Sequence, residues 1–211
     1  KKLRRKTRIK VRYFQAGEYG EKYHRPHYHA CLFGYDFPDK IEWQTFNGEK
    51  YYRSQELEKI WTAGTSMVGD VTYKSAAYVA RYIVKKIKGA RASWYYDDID
   101  PETGEILREL TPEYANMSRR PGIGKTWYEK FKKDVFPDDF LVVAGKKITV
   151  PKYYLTQLEL ASPELYGKIR GKRLNAKDKN KEENTTSRLL VREECTLAKL
   201  SQLSRSYENG I

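Results

Sequence analysis

Two strand-like runs separated by a short polar stretch constrain this chain more than any other feature. Ile9 to Tyr19 (I-K-V-R-Y-F-Q-A-G-E-Y) has the β-branched and aromatic enrichment of a strand, and His27 to Gly34 (H-Y-H-A-C-L-F-G) has it again. Gly20 to Pro26 between them is polar and turn-forming, so the two runs are predicted to pair as an antiparallel hairpin with a long loop. Alternate residues of a strand share a face, which aims His27 and His29 to the same side. With the loop centred between Lys22 and Tyr23, Glu18 falls opposite His27 on that face, with Cβ atoms about 5 Å apart. The predicted class is α+β: an antiparallel sheet with flanking helices.

The rest of the chain supplies the helices. Ser54 followed by Q-E-L-E-K-I-W predicts a capped helix ending near Gly64, and Met67 to Tyr73 reads as a strand. The best-marked helix runs from Ser75 to Lys88 and stops at Gly89, with Ala76, Val79, Ala80, Ile83 and Ile87 on its apolar face. Its other face carries Tyr78, Arg81, Tyr82 and Lys85. Trp94 to Leu110 predicts a hairpin turned at Asp100 to Gly104, and Thr126 to Val135 a short helix entered from a Pro-Gly-Ile-Gly loop. Beyond Phe140 a further hairpin is expected. Lys168 to Lys181 reads as a basic, mobile stretch, and Thr186 to Tyr207 as a terminal helix. Its leucine stripe, Leu189, Leu190, Leu197, Leu200 and Leu203, is expected to pack on the domain. Residues 1–139 are taken as the core domain and 140–211 as an extension with a basic linker and a terminal helix.

Charge points to the partner. Lys and Arg outnumber acids 41 to 28 in 211 residues, a net charge of +13, which favours a polyanion, nucleic acid ahead of an anionic membrane surface. The first twelve residues hold eight Lys or Arg and no acid; they read either as a solvated arm or as phosphate contacts. No apolar run approaches the roughly 20 residues that span a bilayer, and the N-terminal residues do not resemble a signal peptide, so a cytoplasmic protein with no membrane partner is expected. Cys31 and Cys195 lie far apart, and neither a disulfide nor a zinc knuckle is expected. The first residue is not Met, and the chain is read as a fragment.

The chemistry-bearing residues admit two readings each. His27 and His29 with Glu18 form a mixed nitrogen and oxygen set that suits Mg or Mn and leaves positions open for substrate oxygens; alternatively the histidines hydrogen-bond within the sheet. His24 lies in the loop. Gln15 and Glu21 are substitutes for Glu18, although Gln15 faces the other side of its strand and Glu21 sits in the turn. Tyr78 and Tyr82 stand four apart, so their hydroxyls share a helix face beside Arg81 and Lys85. A tyrosine ionises near about pH 10 and needs neighbouring positive charge or a polarised phosphate to attack well. The other reading of this pair is aromatic packing or base stacking. Arg119 and Arg120, ahead of Pro121, could lay guanidiniums along a DNA phosphate, or simply form a tight turn.

Gly17-Glu18-Tyr19-Gly20 with Arg25-Pro26-His27-Tyr28-His29-Ala30-Cys31-Leu32-Phe33-Gly34 resembles the metal-binding motif of the replication initiators of microviruses, small single-stranded-DNA bacteriophages within the HUH endonuclease superfamily. Ser75 to Lys86 is similar to the two-tyrosine motif of that family, and Met117 to Gly124 to another of its segments. The resemblance implies an HUH-like fold, with His27, His29 and Glu18 as ligands of Mg or Mn. It implies Tyr78 and Tyr82 as nucleophiles assisted by Lys85, with Arg81, Lys86, Arg119 and Arg120 on DNA. It further implies rolling-circle initiation by metal-dependent nicking and rejoining through a 5′-phosphotyrosyl intermediate. Its partners would be single-stranded or supercoiled origin DNA and the host replication machinery, in the host bacterial cytoplasm. Family members carry an upstream apolar strand and a cysteine-rich stretch that this sequence does not show, so the sheet is expected to lack an N-terminal strand. The rival readings are a plasmid or transposon nickase of the same superfamily and a non-catalytic DNA-binding protein.

Overall fold

The computed structural model describes residues 2–20, 25–81, 86, 89 and 91–202. The chain divides into two compact units, Lys1–Ile123 and Gly124–Ile211, and its class is α+β.

The first unit opens with a short helix, α1 (Lys2–Thr7), so the basic N-terminal residues are folded and not a free arm. Strands β1 (Arg12–Tyr19) and β2 (Pro26–Phe33) form the predicted hairpin, in the predicted register, with Glu18 opposite His27 and Ala16 opposite His29. A second hairpin, β3 (Ile41–Phe46) and β4 (Glu49–Arg53), leads into α2 (Gln55–Ile60). Ser54 caps α2 as expected, its hydroxyl accepting from the Leu57 N–H at 3.1 Å.

Met67 to Tyr73 is not a strand. Val68 makes an isolated bridge to Tyr52, and Tyr73 already belongs to helix α3 (Tyr73–Arg81). The cause is a cap at Thr72: its hydroxyl accepts from the Ser75 N–H at 3.1 Å while Ser75 Oγ accepts from the Thr72 N–H at 2.8 Å. These reciprocal bonds satisfy donors that a helix start leaves open. Of the predicted helix from Ser75 to Lys88, residues 82–85 and 87–88 lie outside the described residues, and Lys86 stands exposed in no regular element.

Helix α4 (Arg91–Tyr96) occupies residues expected to begin a strand, and the hairpin β5 (Asp97–Ile99) and β6 (Ile106–Glu109) follows, turned at the expected residues. Strand β7 (Tyr114–Met117), which the sequence did not announce, pairs with β1. The sheet order is β2-β1-β7, antiparallel throughout. One sheet face carries Phe14, Ala16 and Glu18 of β1 with His27, His29, Cys31 and Phe33 of β2. Helix α3 covers that face: Ala16, Cys31 and Val79 are buried together, with Phe14, Phe33, Ala76 and Tyr78 packed around them. Burying a side chain such as Val79 contributes about 1.5–3 kcal/mol, which fixes α3 on the sheet. Ala80, assigned to the apolar face, is exposed, and Tyr78, assigned to the other face, is half-buried against the sheet.

The second unit begins at Gly124, whose left-handed φ of 82° turns the chain into α5 (Lys125–Val135). The hairpin β8 (Phe140–Val143) and β9 (Lys146–Thr149) follows, then α6 (Lys152–Ala161) and α7 (Pro163–Lys179). Tyr128, Val135, Phe136, Val150, Leu158 and Ile169 form its core, so residues on both sides of position 139 are packed together. The stretch Lys168 to Lys181, expected to be mobile, is helical as far as Lys179, anchored by the buried Ile169. Helix α8 (Thr186–Ser201) follows; its Leu189, Leu190 and Leu197 are exposed and not packed on the domain, and Leu203 lies outside the described residues.

Candidate functional site

The hairpin register brings Glu18, His27 and His29 to one end of the sheet face that α3 covers. The contact between them runs diagonally. His29 Nε2 lies 3.2 Å from Glu18 Oε1, and the Glu18 side chain is fully shielded while that of His29 is 28% exposed. A buried carboxylate needs such a polar partner, because leaving it alone in an apolar setting costs several kcal/mol. His27 is exposed, and its ring lies over Gly20: a Cβ built on Gly20 would stand 2.9 Å from His27 Cε1. Gly20 therefore gives the imidazole its place, a role that the sequence reading missed although the Gly17-Glu18-Tyr19-Gly20 run was its signal. Gly17 does the same for Tyr114, whose Cε1 would lie 2.6 Å from a Cβ there.

The nucleophile candidate joins this group. The Tyr78 ring stands edge-on to the His29 imidazole, 6.0 Å between centroids and 81° between planes, and the Arg81 guanidinium lies 5.4 Å from the Tyr78 centroid. A cation so placed interacts with the ring face and holds positive charge beside the hydroxyl-bearing side chain. Tyr82 and Lys85, together with the alternatives His24 and Glu21, lie outside the described residues. Lys86, Arg119 and Arg120 are exposed. On the reverse face of β2, between the two histidines in sequence, Tyr28 meets Trp61 edge-on at 5.1 Å.

The donor chemistry of two imidazoles and one carboxylate suits a divalent cation. The contacts gather two of the three: among the described residues no group of three His, Cys, Asp or Glu side chains is close enough together to hold a metal ion. No helix among the described residues is long and apolar enough to cross a membrane.

Residues 1–87 match the family model of the replication-associated protein ORF2. The chain is 33% identical over 164 residues to the replication-associated protein VP4 of Bdellovibrio phage phiMH2K, an alignment covering 77% of this chain and 48% of that protein. To the replication-associated protein ORF2 of Spiroplasma virus 4 it is 31% identical over 168 residues, covering 75% of this chain and 47% of that protein. To the replication-associated protein ORF4 of Chlamydia phage 1 it is 26% identical over 151 residues, covering 69% of this chain and 35% of that protein. The chain thus spans about half the length, or less, of the curated relatives it matches. No solved structure matches it. The matched segment contains the His27 hairpin and the Tyr78 helix, and with these phage relatives the chain belongs to the ORF2 family of replication-associated proteins.

Proposed function

We propose that this chain is the catalytic part of a rolling-circle replication initiator with an HUH-type fold, which nicks and rejoins one DNA strand through a 5′-phosphotyrosyl intermediate. The observation that carries the reading is the meeting of Glu18, His29 and Tyr78 on one sheet face, a carboxylate–imidazole contact of 3.2 Å with a tyrosine ring 6.0 Å from the same imidazole. Mg or Mn held by His27, His29 and Glu18 would supply polarisation of the scissile phosphate.

Tyr78 Oη attacks the phosphorus; the P–Oη bond forms and the P–O3′ bond breaks. The phenolic proton leaves to solvent, and the departing 3′ oxygen takes one, giving a free 3′-OH that can prime synthesis. One phosphate ester replaces another, so the exchange needs no nucleotide cofactor. Arg81, beside Tyr78, and Lys85 offset the charge that gathers on phosphorus in the transition state. Tyr82, four residues on, is the second nucleophile, able to attack the regenerated origin and release a circle. Lys86, Arg119 and Arg120 bind flanking phosphates. The partners are single-stranded or supercoiled origin DNA and the replication machinery of a bacterial host, in whose cytoplasm the protein acts.

A second reading, a non-catalytic DNA-binding protein, draws on the fact that only two of the three ligand candidates are in contact. Incubation with labelled single-stranded origin DNA and Mn, followed by denaturing electrophoresis, separates the two. A covalent adduct supports the nickase; a mobility shift on native gels with no adduct supports the binder.

A further inference from the structure

The basic residues at the start of the chain are fastened to the loop that carries Arg119 and Arg120. Arg4 makes the fastening: its Nε donates to the Val11 carbonyl at 2.7 Å, its Nη2 donates to Ser118 Oγ at 3.3 Å, and its guanidinium lies 5.5 Å from the Tyr13 ring centroid. Ser118 is itself fixed to β1, its Oγ accepting from the Tyr13 N–H at 3.1 Å and its N–H donating to the Tyr13 carbonyl at 2.9 Å. On the other side of α1, Lys6 pairs with Glu56 at 3.0 Å, and Lys2 Nζ donates to the Ile60 carbonyl at 3.4 Å. Three cations of the helix thus hold it in place. Arg5, Arg8, Lys10, Arg119 and Arg120 are exposed, and none has a carboxylate at ion-pair distance among the described residues. Arg8 holds a left-handed φ of 58° just past the end of α1, where glycine is the default, yet the chain keeps a cation there.

We propose that α1, Arg8, Lys10 and the Arg119–Arg120 loop form one basic surface that grips the phosphates of duplex DNA flanking the nick. This deepens the reading of the chain as a DNA-acting protein and rests on it only for the identity of the polyanion. The surface is cationic and carries no aromatic side chain among these five residues. Single strands are held by bases stacked on aromatic rings together with charge, whereas duplex is held through its backbone phosphates. The side chains that could stack on an unpaired strand, Tyr28 and Tyr78, belong to the sheet and helix of the candidate site.

The test uses the 211-residue chain with Arg5→Ala, Arg8→Gly and Lys10→Ala combined. Glycine suits the backbone at position 8 and alanine the exposed helix position, so charge is removed with little demand on the fold. Fluorescence anisotropy with a short duplex, over a salt series, is expected to show affinity falling by about tenfold or more near 0.1 M salt and a salt slope shallower by about 2 to 3, from about 0.9 per lost phosphate contact. Lysine at positions 5 and 8 restores most of the affinity, which a merely structural role would not predict. Unchanged duplex affinity and slope in a variant with an unchanged melting curve overturns the proposal. So does tighter binding of the wild type to phosphatidylserine vesicles than to duplex, lost in the same variant. Adduct formation on a single-stranded oligonucleotide is read separately: a chain that forms no adduct but binds duplex through these cations overturns the nickase reading and supports the surface.

Discussion

His29 Nε2 reaches diagonally across the hairpin to Glu18 Oε1, 3.2 Å away, on a carboxylate with no solvent-exposed side-chain surface. This one contact joins stability to the proposed chemistry. Glu18→Ala leaves the imidazole facing a void and is expected to lower unfolding stability by about 1–3 kcal/mol, measured by urea titration. Calorimetric titration should show weaker Mn binding for the same variant. His27→Ala and His29→Ala should each abolish Mn-dependent adduct formation while DNA affinity persists, because the basic surface and not the imidazoles holds the phosphates. Wild-type cleavage by either histidine variant would sink the metal assignment.

Gly20→Ala tests the site without altering a ligand. The added methyl group would lie 2.9 Å from His27 Cε1, so the ring must swing away from its place. His27 is exposed and can move, which predicts a small change in stability, under about 1 kcal/mol, but a loss of Mn affinity of about tenfold. Equal Mn affinity of variant and wild type would show that the position of this ring does not matter to the metal.

The start of α2 gives a pH prediction. Ser54 Oγ donates to Asp39 Oδ1 at 2.6 Å, and the Glu56 N–H donates to Asp39 Oδ2 at 2.8 Å; these bonds, the serine's first, hold the Asp39 carboxyl below its ordinary range. The unfolded chain therefore takes up a proton first as pH falls. The stabilisation is present above the unfolded pKa of about 3.9 and is lost as pH drops through the lower folded value. Urea midpoints between about pH 5 and pH 2 should fall more steeply for the wild type than for Asp39→Asn. Parallel curves would remove Asp39 from the acid sensitivity. Ser54→Ala should cost about 0.5–2 kcal/mol at neutral pH through the lost cap.

What the residues revealed in advance follows from how local the determinants are. The first hairpin was legible because alternation, loop length and the polar turn act within about 25 residues of chain, and together they specify register. Strand β7 was not, since Y-A-N-M carries no alternation and its partner β1 lies about a hundred residues away, so only tertiary pairing makes it a strand. The helical state of Lys168 to Lys179 was hidden by its polarity: a single buried residue, Ile169, anchors a segment that reads as linker. Thr72 and Ser75, by contrast, were a capping signal in plain view, obscured by the β-branched run before them. At the site, the facing of Glu18 and His27 was readable from spacing. The diagonal contact to His29 and the ring of Tyr78 beside it depend on how α3 docks, which no periodicity specifies.

The tyrosine pair carries the sharpest prediction. Tyr78 is half-buried, edge-on to His29, with Arg81 over its ring, so replacing it with Phe keeps the packing and both ring contacts and removes only the hydroxyl. Tyr78→Phe is therefore expected to fold with a melting temperature within a few degrees of wild type, about 1 kcal/mol or less in stability. If Tyr82 also reaches the phosphate, either single Phe substitution lowers adduct formation on a short oligonucleotide without abolishing it. The double Tyr78→Phe, Tyr82→Phe chain should bind DNA and Mn as the wild type does and form no adduct. In a full replication assay each single variant should nick yet release few closed circles, because one hydroxyl remains for a sequence that uses two. Mass spectrometry of the trapped adduct decides the matter. A phosphotyrosyl linkage at neither residue, or an adduct that persists in the double variant, would remove this helix as the carrier of the nucleophile, whatever becomes of the metal ligands.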